Sequence, residues 1–380
     1  MAPPEHNRRK TDKPSGRGQR SGGRGGRPRG EGPIAALDLG TNNCRLLVAR
    51  PEGPGFAVVD AFSRAVRLGE GVENSNVLSE EAQARALKAL RICAGKIRHH
   101  RVRDHRIVAT EACRRALNGR DFVRRVNRET GLAMDIITPE EEARLAVAGC
   151  APLIDPEAEQ LLVFDIGGGS TELIWIDMSG TPSGRRENLV RALAPLGRGR
   201  RETDTARAAA AHIADWISVP MGVSTLHDRF ASIEDDAKRF AMMSWHFEER
   251  LAPFGLYDAI DKAALTEKMQ IVGVSGTATT FGALHLGLKT YDRSKVDGLW
   301  LPADGAAEVA DRLISMEIDD RATHPGIGRG RSSLVISGSA ILMTILRLWP
   351  VERIRIADRG LREGILYGLI QERRDRKSSA

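Results

Sequence analysis

The segment FDIGGGSTELIW, residues 164–175, decides how the rest of the sequence is interpreted. An apolar run ends in Asp165, three glycines and two hydroxyl residues follow, and the chain then returns to apolar residues. Glycine weakens a strand interior, but it suits a sharp turn or a place where a ligand approaches the backbone closely. The N–H groups of such a turn form a concave anion site, to which Ser170 and Thr171 add hydroxyl donors. The segment therefore predicts two strands joined by a phosphate-binding turn.

Similar turns occur at two other places in the chain. Residues 34–39 and 44–50 are predicted strands that flank the turn GTNN, and Asp38 corresponds in position to Asp165. These two aspartates are 127 residues apart, about the length of one domain, which predicts an internal duplication. A third turn, SGTATTFGAL, follows the predicted strand at 271–274. The chain has no G-x-x-x-x-G-K-[ST] motif, so a P-loop fold is not expected.

Helical and strand patterns alternate between these turns, which predicts an α/β fold. Residues 78–100 have helical periodicity with Ser79 as the predicted N-cap, and 106–110 and 134–138 are predicted strands. Residues 183–211 are rich in arginine and have no clear periodicity. Two interpretations of 183–211 stay open, an inserted loop or lid and a solvated surface loop.

Composition limits the class of protein. The chain has 380 residues, enough for two domains, and no apolar run reaches the roughly 18 residues that a membrane-spanning helix needs. Its four cysteines include no C-x-x-C pair, which favours a reducing compartment over a disulfide framework or a thiolate zinc site. We therefore expect a cytoplasmic protein without a membrane segment.

The net charge of +7 comes from residues 1–30, which carry nine Lys or Arg and two Asp or Glu. This part of the chain is rich in Gly, Arg and Pro and has almost no apolar residues, so residues 1–32 are predicted to be a disordered tail. Two interpretations stay open: a mobile arm that binds RNA or another polyanion, and a solubilising tail.

Several stretches together resemble one known family. The three turns resemble the phosphate and nucleotide loops of the actin-like superfamily, to which sugar kinases also belong. Three more stretches, ATEACRRALNG (109–119), TPEEEARLAVAG (138–149) and ADRGLREGILYG (357–368), narrow the resemblance to the exopolyphosphatase/guanosine pentaphosphate phosphatase family. The resemblance covers about residues 33–370.

This resemblance implies both a fold and an activity. Two actin-like, ribonuclease H-like α/β domains, 33–159 and 160–358, would enclose the active-site cleft, and a helix at about 360–376 would pack back on the first domain. Members of the family use Mg²⁺ to hydrolyse the terminal phosphoanhydride of inorganic polyphosphate or guanosine pentaphosphate, and they often form homodimers. The sequence does not rank the two substrates, because both present the same anhydride. A small-molecule kinase and a non-catalytic protein that binds a nucleotide or RNA remain alternatives.

Glu142 has two interpretations. The resemblance makes it the general base that takes a proton from the attacking water, because it precedes Ala-Arg-Leu in the family's E-E-A-R-L motif. The residues alone also allow a structural role in the first turn of a helix, with Thr138 as the N-cap and Glu141 completing a capping box. Arg114 matches the arginine of the family's A-T-x-x-x-R segment, so it would clamp a phosphate. Otherwise it is a surface arginine.

The remaining site residues follow from the turns and the resemblance. A carboxylate beside a phosphate is repulsive unless a cation lies between them, and Mg²⁺ is suited to that position. Asp38 and Asp165 would hold the Mg²⁺, and Glu172 either helps or only begins the next strand. The residues predicted to bind phosphate are Gly40, Thr41, Asn42, Asn43, Arg45, Gly167, Gly168, Gly169, Ser170, Thr171, Gly276 and Thr277.

Overall fold

A computed structural model describes residues 32–195, 204–258, 266–327 and 332–378. The predicted tail, 1–32, lies outside the described residues except for Gly32. The strands are β1 (Ile34–Leu39), β2 (Asn43–Glu52), β3 (Gly55–Ala65), β4 (Asp104–Ala109), β5 (Asp135–Ile136), β6 (Gln160–Ile166), β7 (Thr171–Asp177), β8 (Ile213–Val219), β9 (Met269–Val274), β10 (Trp300–Pro302) and β11 (Arg353–Ala357). The helices are α1 (Val72–Ser75), α2 (Glu80–His99), α3 (Glu111–Arg115), α4 (Gly119–Thr130), α5 (Pro139–Gly149), α6 (Ser183–Ala192), α7 (Asp204–Ala210), α8 (Val223–Arg229), α9 (Asp236–Glu249), α10 (Ser275–His285), α11 (Arg293–Val296), α12 (Ala303–Ser315), α13 (Ile318–Thr323), α14 (Val335–Leu348) and α15 (Leu361–Ser378), with a 3₁₀ turn at Ala151–Leu153.

The described strands form two mixed sheets with a shared topology. The first has the order β3-β2-β1-β4-β5, and the second has the order β8-β7-β6-β9-β11-β10. In both sheets the first three strands along the chain are antiparallel neighbours, and the next strand joins the first in parallel. The predicted α/β fold class is confirmed. The repeated strand order is the structural form of the internal duplication.

Helices α5 and α15 connect the two sheets. Helix α5 follows the first sheet and packs against β7 of the second, whereas α15 follows β11 of the second sheet and packs against β1 of the first. The two helices also contact each other, and glycines make this contact close. A Cβ at Gly149 would lie 2.0 Å from the carbonyl oxygen of Gly360, and one at Gly364 would lie 2.0 Å from that of Leu145. Larger side chains would therefore force the helices apart.

Residues from Gly32 onward form one compact unit. Buried aliphatic and aromatic side chains fill the space around both sheets, including Leu37 and Phe122 near the first and Phe164 and Phe281 near the second. The division into two domains at 159/160 stays a prediction. Within the described ranges, no helix has the length and apolar character that a membrane span requires.

Local signals predicted several helix ends correctly. Ser79 caps α2 by accepting a hydrogen bond from the N–H of Ala82 at 3.2 Å. Thr138 caps α5 by accepting one from the N–H of Glu141 at 3.1 Å. The predicted capping box is wrong in its second half, because the Glu141 carboxylate accepts a hydrogen bond from Arg106. Glu141 pairs with the guanidinium of Arg106 instead of accepting a hydrogen bond from the backbone N–H of Thr138.

The prediction of a loop or lid at 183–211 is also wrong for its described part, which contains α6 and α7. Residues 196–203 of that segment lie outside the described residues. Helix α6 buries Val190 and also Arg186, whose guanidinium donates hydrogen bonds to the backbone carbonyls of Thr181 and Pro156. The buried face of α6 includes Arg186, and a charged residue is normally expected on the exposed face of a helix. The sequence of α6 therefore lacks a recognisable amphipathic pattern.

Candidate active site

A cleft of about 790 Å³ lies at the carboxyl ends of β1, β6 and β9, where the three predicted turns meet. Ligands commonly bind at this edge of α/β sheets. Most of the predicted site residues line it: Asp38, Gly40, Thr41, Asn42, Asn43, Arg45, Glu142, Asp165, Gly167, Gly168, Gly169, Ser170, Glu172, Gly276 and Thr277. Arg114 and Thr171 are not among the lining residues. The Thr171 hydroxyl donates instead to the carbonyl of Met221 at 2.7 Å, in the protein interior.

The second turn is held from one side by helix α8. The carbonyl groups of Gly167, Gly168 and Gly169 accept hydrogen bonds of 2.9–3.0 Å from the first turn of α8. In a trans peptide the carbonyl and the following N–H point in opposite directions. The N–H groups of Gly168, Gly169 and Ser170 therefore point away from α8, and no hydrogen bond from those of Gly168 or Gly169 to a described residue is found. These donors are available to an anion.

The three glycines are needed for close packing rather than for an unusual backbone angle. Residues 167–169 do not have positive φ. A Cβ at Gly168 would lie 2.6 Å from the Asn42 amide nitrogen, and one at Gly169 would lie 2.9 Å from Cγ of Glu111. The second turn therefore packs directly on the first turn and on helix α3, which leaves no space for a side chain at Gly168 or Gly169.

The first turn repeats this design with other partners. A hydrogen bond of 2.9 Å from the N–H of Gly40 to the carbonyl of Asn43 corresponds to the one from Gly167 to Ser170. Backbone N–H groups of residues 66 and 67 hold the Asn42 carbonyl, as α8 holds the carbonyls of the second turn. The Asn42 side chain also donates to the Ser224 hydroxyl at 2.9 Å, which links the first turn to α8.

The third turn begins helix α10. Ser275 has a positive φ of 82°, which is strained for a residue other than glycine. Its hydroxyl donates to the carbonyl of Ile166 at 2.7 Å and so fixes the third turn to the end of β6. Gly276 and Thr277 follow in the first turn of α10 and line the cleft.

Burial raises the pKa values of four carboxylates that line the cleft: Asp38, Glu142, Asp165 and Glu172. Burial raises the pKa of Asp165 to about 6, and the nearby Asp38 carboxylate adds to the effect. Burial raises the pKa of Glu172 to about 7. The pKa of Asp38 is also raised by burial, despite the opposing charge of Arg45. The pKa of Glu142 lies well above its ordinary value because of burial and the charge of Glu172. The cleft is therefore short of positive charge.

Arg114 lies behind Glu142 rather than in the cleft. Its guanidinium donates to Oε2 of Glu142 at 3.1 and 3.2 Å, to Oε2 of Glu111 at 2.9 Å, and to the carbonyl of Ile137 at 2.8 Å. These contacts leave Oε1 of Glu142 without a hydrogen bond to a described residue. Sequence reasoning missed Glu111, although it lies three residues before Arg114 on a helix, which is a favourable spacing for an ion pair.

The donor set suits a hard cation. No group of three or more His, Cys, Asp or Glu among the described residues is arranged to enclose a metal ion. Mg²⁺ does not require such a cage, since it is usually bound by one or two carboxylates together with waters and substrate phosphates. Asp38 and Asp165 supply oxygen ligands only, and a cation would offset the repulsion from Asp38 that adds to the effect of burial on the pKa of Asp165. The residues present therefore fit Mg²⁺.

Comparison with known proteins agrees with this geometry. The sequence pattern of the Ppx/GppA phosphatase family matches residues 47–373. The structure is similar to that of the Aquifex aeolicus member of that family, with 26% identity and a TM-score of 0.66 over 90% of this chain and 98% of that chain. It is also similar to an exopolyphosphatase-like protein, with 28% identity and a TM-score of 0.73 over 90% and 99% of the two chains. An exopolyphosphatase from Cytophaga hutchinsonii shares the fold, with 23% identity and a TM-score of 0.74 over 90% and 98%.

Proposed function

Because the chain belongs to the Ppx/GppA phosphatase family, we propose that it is a Mg²⁺-dependent hydrolase of phosphoanhydrides. It releases terminal orthophosphate from inorganic polyphosphate or from guanosine pentaphosphate, which becomes guanosine tetraphosphate. The observation that carries this proposal is the position of Glu142, a carboxylate that is 13% exposed and has a raised pKa, in the same cleft as the phosphate-binding turns. The two proposed domains, 33–159 and 160–358, each contribute one of the aspartate-bearing turns.

The turns bind the phosphates in this proposal. The N–H groups of Gly168, Gly169 and Ser170 donate to phosphate oxygens, and those of the first turn, residues 40–43, do the same from the other sheet. Asp38 and Asp165 hold Mg²⁺, with Glu172 as a further ligand. When bound, Mg²⁺ neutralises charge on the phosphate oxygens. Positioning and charge stabilisation are the main demands of phosphoryl transfer, so little covalent chemistry falls to the protein.

Glu142 acts as the general base. A carboxylate with a raised pKa accepts a proton more readily than an ordinary one. Arg114 holds Oε2 of Glu142, so Oε1 is the atom that takes the proton from water. We assign Arg114 to positioning this base, because two carboxylates and a carbonyl already occupy its donors. A phosphate clamp would require Arg114 to leave Glu142.

The test compares Glu142→Gln with Glu140→Gln at saturating Mg²⁺. Both changes remove one negative charge from the first turn of α5, but Glu140 is 51% exposed and contacts Arg144 only at 3.9 Å. We expect Glu142→Gln to lower kcat by about 10²- to 10⁴-fold with KM nearly unchanged, and Glu140→Gln to leave kcat near the wild-type value. Equal, small effects of the two changes would remove Glu142 from the mechanism.

Phosphate release from long-chain polyphosphate and from guanosine pentaphosphate, measured side by side, identifies the preferred substrate. The same assay separates the rival functions. A small-molecule kinase would release little phosphate unless an acceptor is present, and a non-catalytic binder would bind the ligand and release none. EDTA should abolish release and added Mg²⁺ should restore it, whereas full activity in EDTA would contradict the metal-dependent mechanism.

A further inference from the structure

Two of the residues with strained backbone lie on the cleft. Four described residues other than glycine have positive φ: Arg67, Asn76, Arg101 and Ser275. Asn76 is the C-cap of α1, and Arg101 follows the C-cap of α2, where a left-handed residue is usual. Arg67, with a φ of 46°, and Ser275 line the cleft instead. Strain of this kind persists where the surrounding structure enforces it, often at functional sites.

The backbone of Arg67 is part of the support for the first turn. The N–H groups of Val66 and Arg67 donate to the same carbonyl, that of Asn42, at 2.8 and 3.0 Å. Arg85 donates in turn to the carbonyls of Val66 and Arg67, at 3.0 and 3.2 Å. Val66 and Leu68, on either side of Arg67, are fully buried. The position of Arg67 relative to the first turn is therefore fixed.

The Arg67 side chain is exposed, and its guanidinium makes no hydrogen bond or ion pair with a described residue. The cleft acid closest to it in sequence, Glu70, is engaged by Arg85 at 2.6 Å. Among the other arginines that line the cleft, Arg359 binds Asp297 through two nitrogens. Glycine would adopt a φ of 46° without strain, so the backbone alone does not explain an arginine here.

We propose that Arg67 binds a phosphate of the substrate beyond the one that is transferred. This inference rests on the proposed function. The transferred phosphate must reach the buried carboxylates, so the rest of the substrate extends toward solvent, where the exposed Arg67 lies beside the first turn. A guanidinium binds phosphate oxygens through two parallel hydrogen bonds. Arg67 thereby favours substrates that carry further phosphates next to the scissile anhydride, as polyphosphate and guanosine pentaphosphate do.

The experiment measures binding by calorimetry with Mg²⁺ present, using the methylene analogue of tripolyphosphate and, separately, orthophosphate. Arg67→Gln should raise the Kd of the analogue about 10- to 100-fold and leave that of orthophosphate within about twofold, since orthophosphate fills only the transferred-phosphate position. Arg64→Gln is the matched control, because Arg64 is exposed on the same segment but does not line the cleft. It should leave both Kd values unchanged.

Arg67→Gly separates binding from folding. It should weaken binding of the analogue as Arg67→Gln does, while the midpoint of denaturant unfolding stays equal or rises because strain is relieved. Wild-type affinity for the analogue in either variant, or an equal loss for orthophosphate, would overturn the proposal. Arg67-dependent binding of the analogue without release of phosphate from tripolyphosphate would support the role of Arg67 and contradict the proposed hydrolysis.

Discussion

Replacing Glu172 by Gln tests the electrostatics of the cleft without any substrate. Glu172 is 3% exposed, and burial raises its pKa from 4.5 to about 7. A difference of this size between the unfolded and folded chains corresponds to roughly 3 kcal/mol. Because the pKa is raised on folding, the stabilisation is fully present below pH 4.5 and is lost as pH rises through about 7. Gln imitates the protonated form of Glu172 and does not titrate, so the variant keeps this stabilisation at high pH.

The assay is denaturant unfolding of both proteins in EDTA, across about pH 4.5 to 8. The free energy of unfolding of the wild type, relative to Glu172→Gln, should fall by roughly 3 kcal/mol over this range. Taking the difference removes the contributions that the two proteins share. The hydrogen bond from Ser218 to Oε1 of Glu172, at 2.8 Å, can also be accepted by the amide oxygen of Gln.

Mg²⁺ should reverse the order of stability at high pH. A cation bound beside ionised Glu172 stabilises the folded wild type, and the variant gains less because it has lost one ligand charge. Glu140→Gln, which removes an exposed acid, should show neither effect. A wild type that is more stable than Glu172→Gln at about pH 8 in EDTA would refute the assignment of a buried, proton-binding carboxylate to this position.

Two further predictions concern packing and the tail. Gly364→Ala should lower the free energy of unfolding by about 1–3 kcal/mol, because its Cβ would lie 2.0 Å from the carbonyl oxygen of Leu145. Gly95→Ala in α2 should be neutral or stabilising in the same denaturant titration, because its Cβ would meet no described atom within 4 Å beyond its chain neighbours and the backbone of its own helix. Removal of residues 1–30 should raise KM for long polyphosphate and flatten its salt dependence if this segment binds polyanions, with turnover of guanosine pentaphosphate unchanged. Identical salt slopes would leave only the solubilising interpretation.

Features encoded within a few residues could be predicted from the sequence. The strand–turn–strand patterns around Asp38 and Asp165 and the cap of α2 by Ser79 depend on neighbours along the chain, and the structure has them where they were expected. The reason for the three glycines could not be predicted in full. It depends on the contact between Gly168 and Asn42, which are far apart in sequence and meet only when the two sheets pack.

Long-range contacts also explain the remaining differences. Helix α8 holds the carbonyls of the second turn, but the sequence of its first residues, Val-Ser-Thr, has no feature that marks this task. Arg114 was expected to clamp a phosphate because an arginine suits that role. The structure places it between Glu111 and Glu142, and this pairing depends on α3 and α5 being brought together by the first sheet.

The duplication suggests where substrate preference resides. Both aspartate-bearing turns have the same internal hydrogen bond and have their carbonyls held from one side, which leaves N–H groups for phosphate in each copy. The supports differ, however. Helix α8 supports the second turn and presents a neutral hydroxyl, Ser224, to the first turn. The segment that supports the first turn instead carries Arg67, a cation that forms no ion pair with any of the described residues. The shared features suit any terminal phosphate, so discrimination among substrates must come from the features that differ. Of the two side chains that distinguish these supports, Ser224 and Arg67, only Arg67 is charged. It acts on the part of the substrate that lies beyond the transferred phosphate.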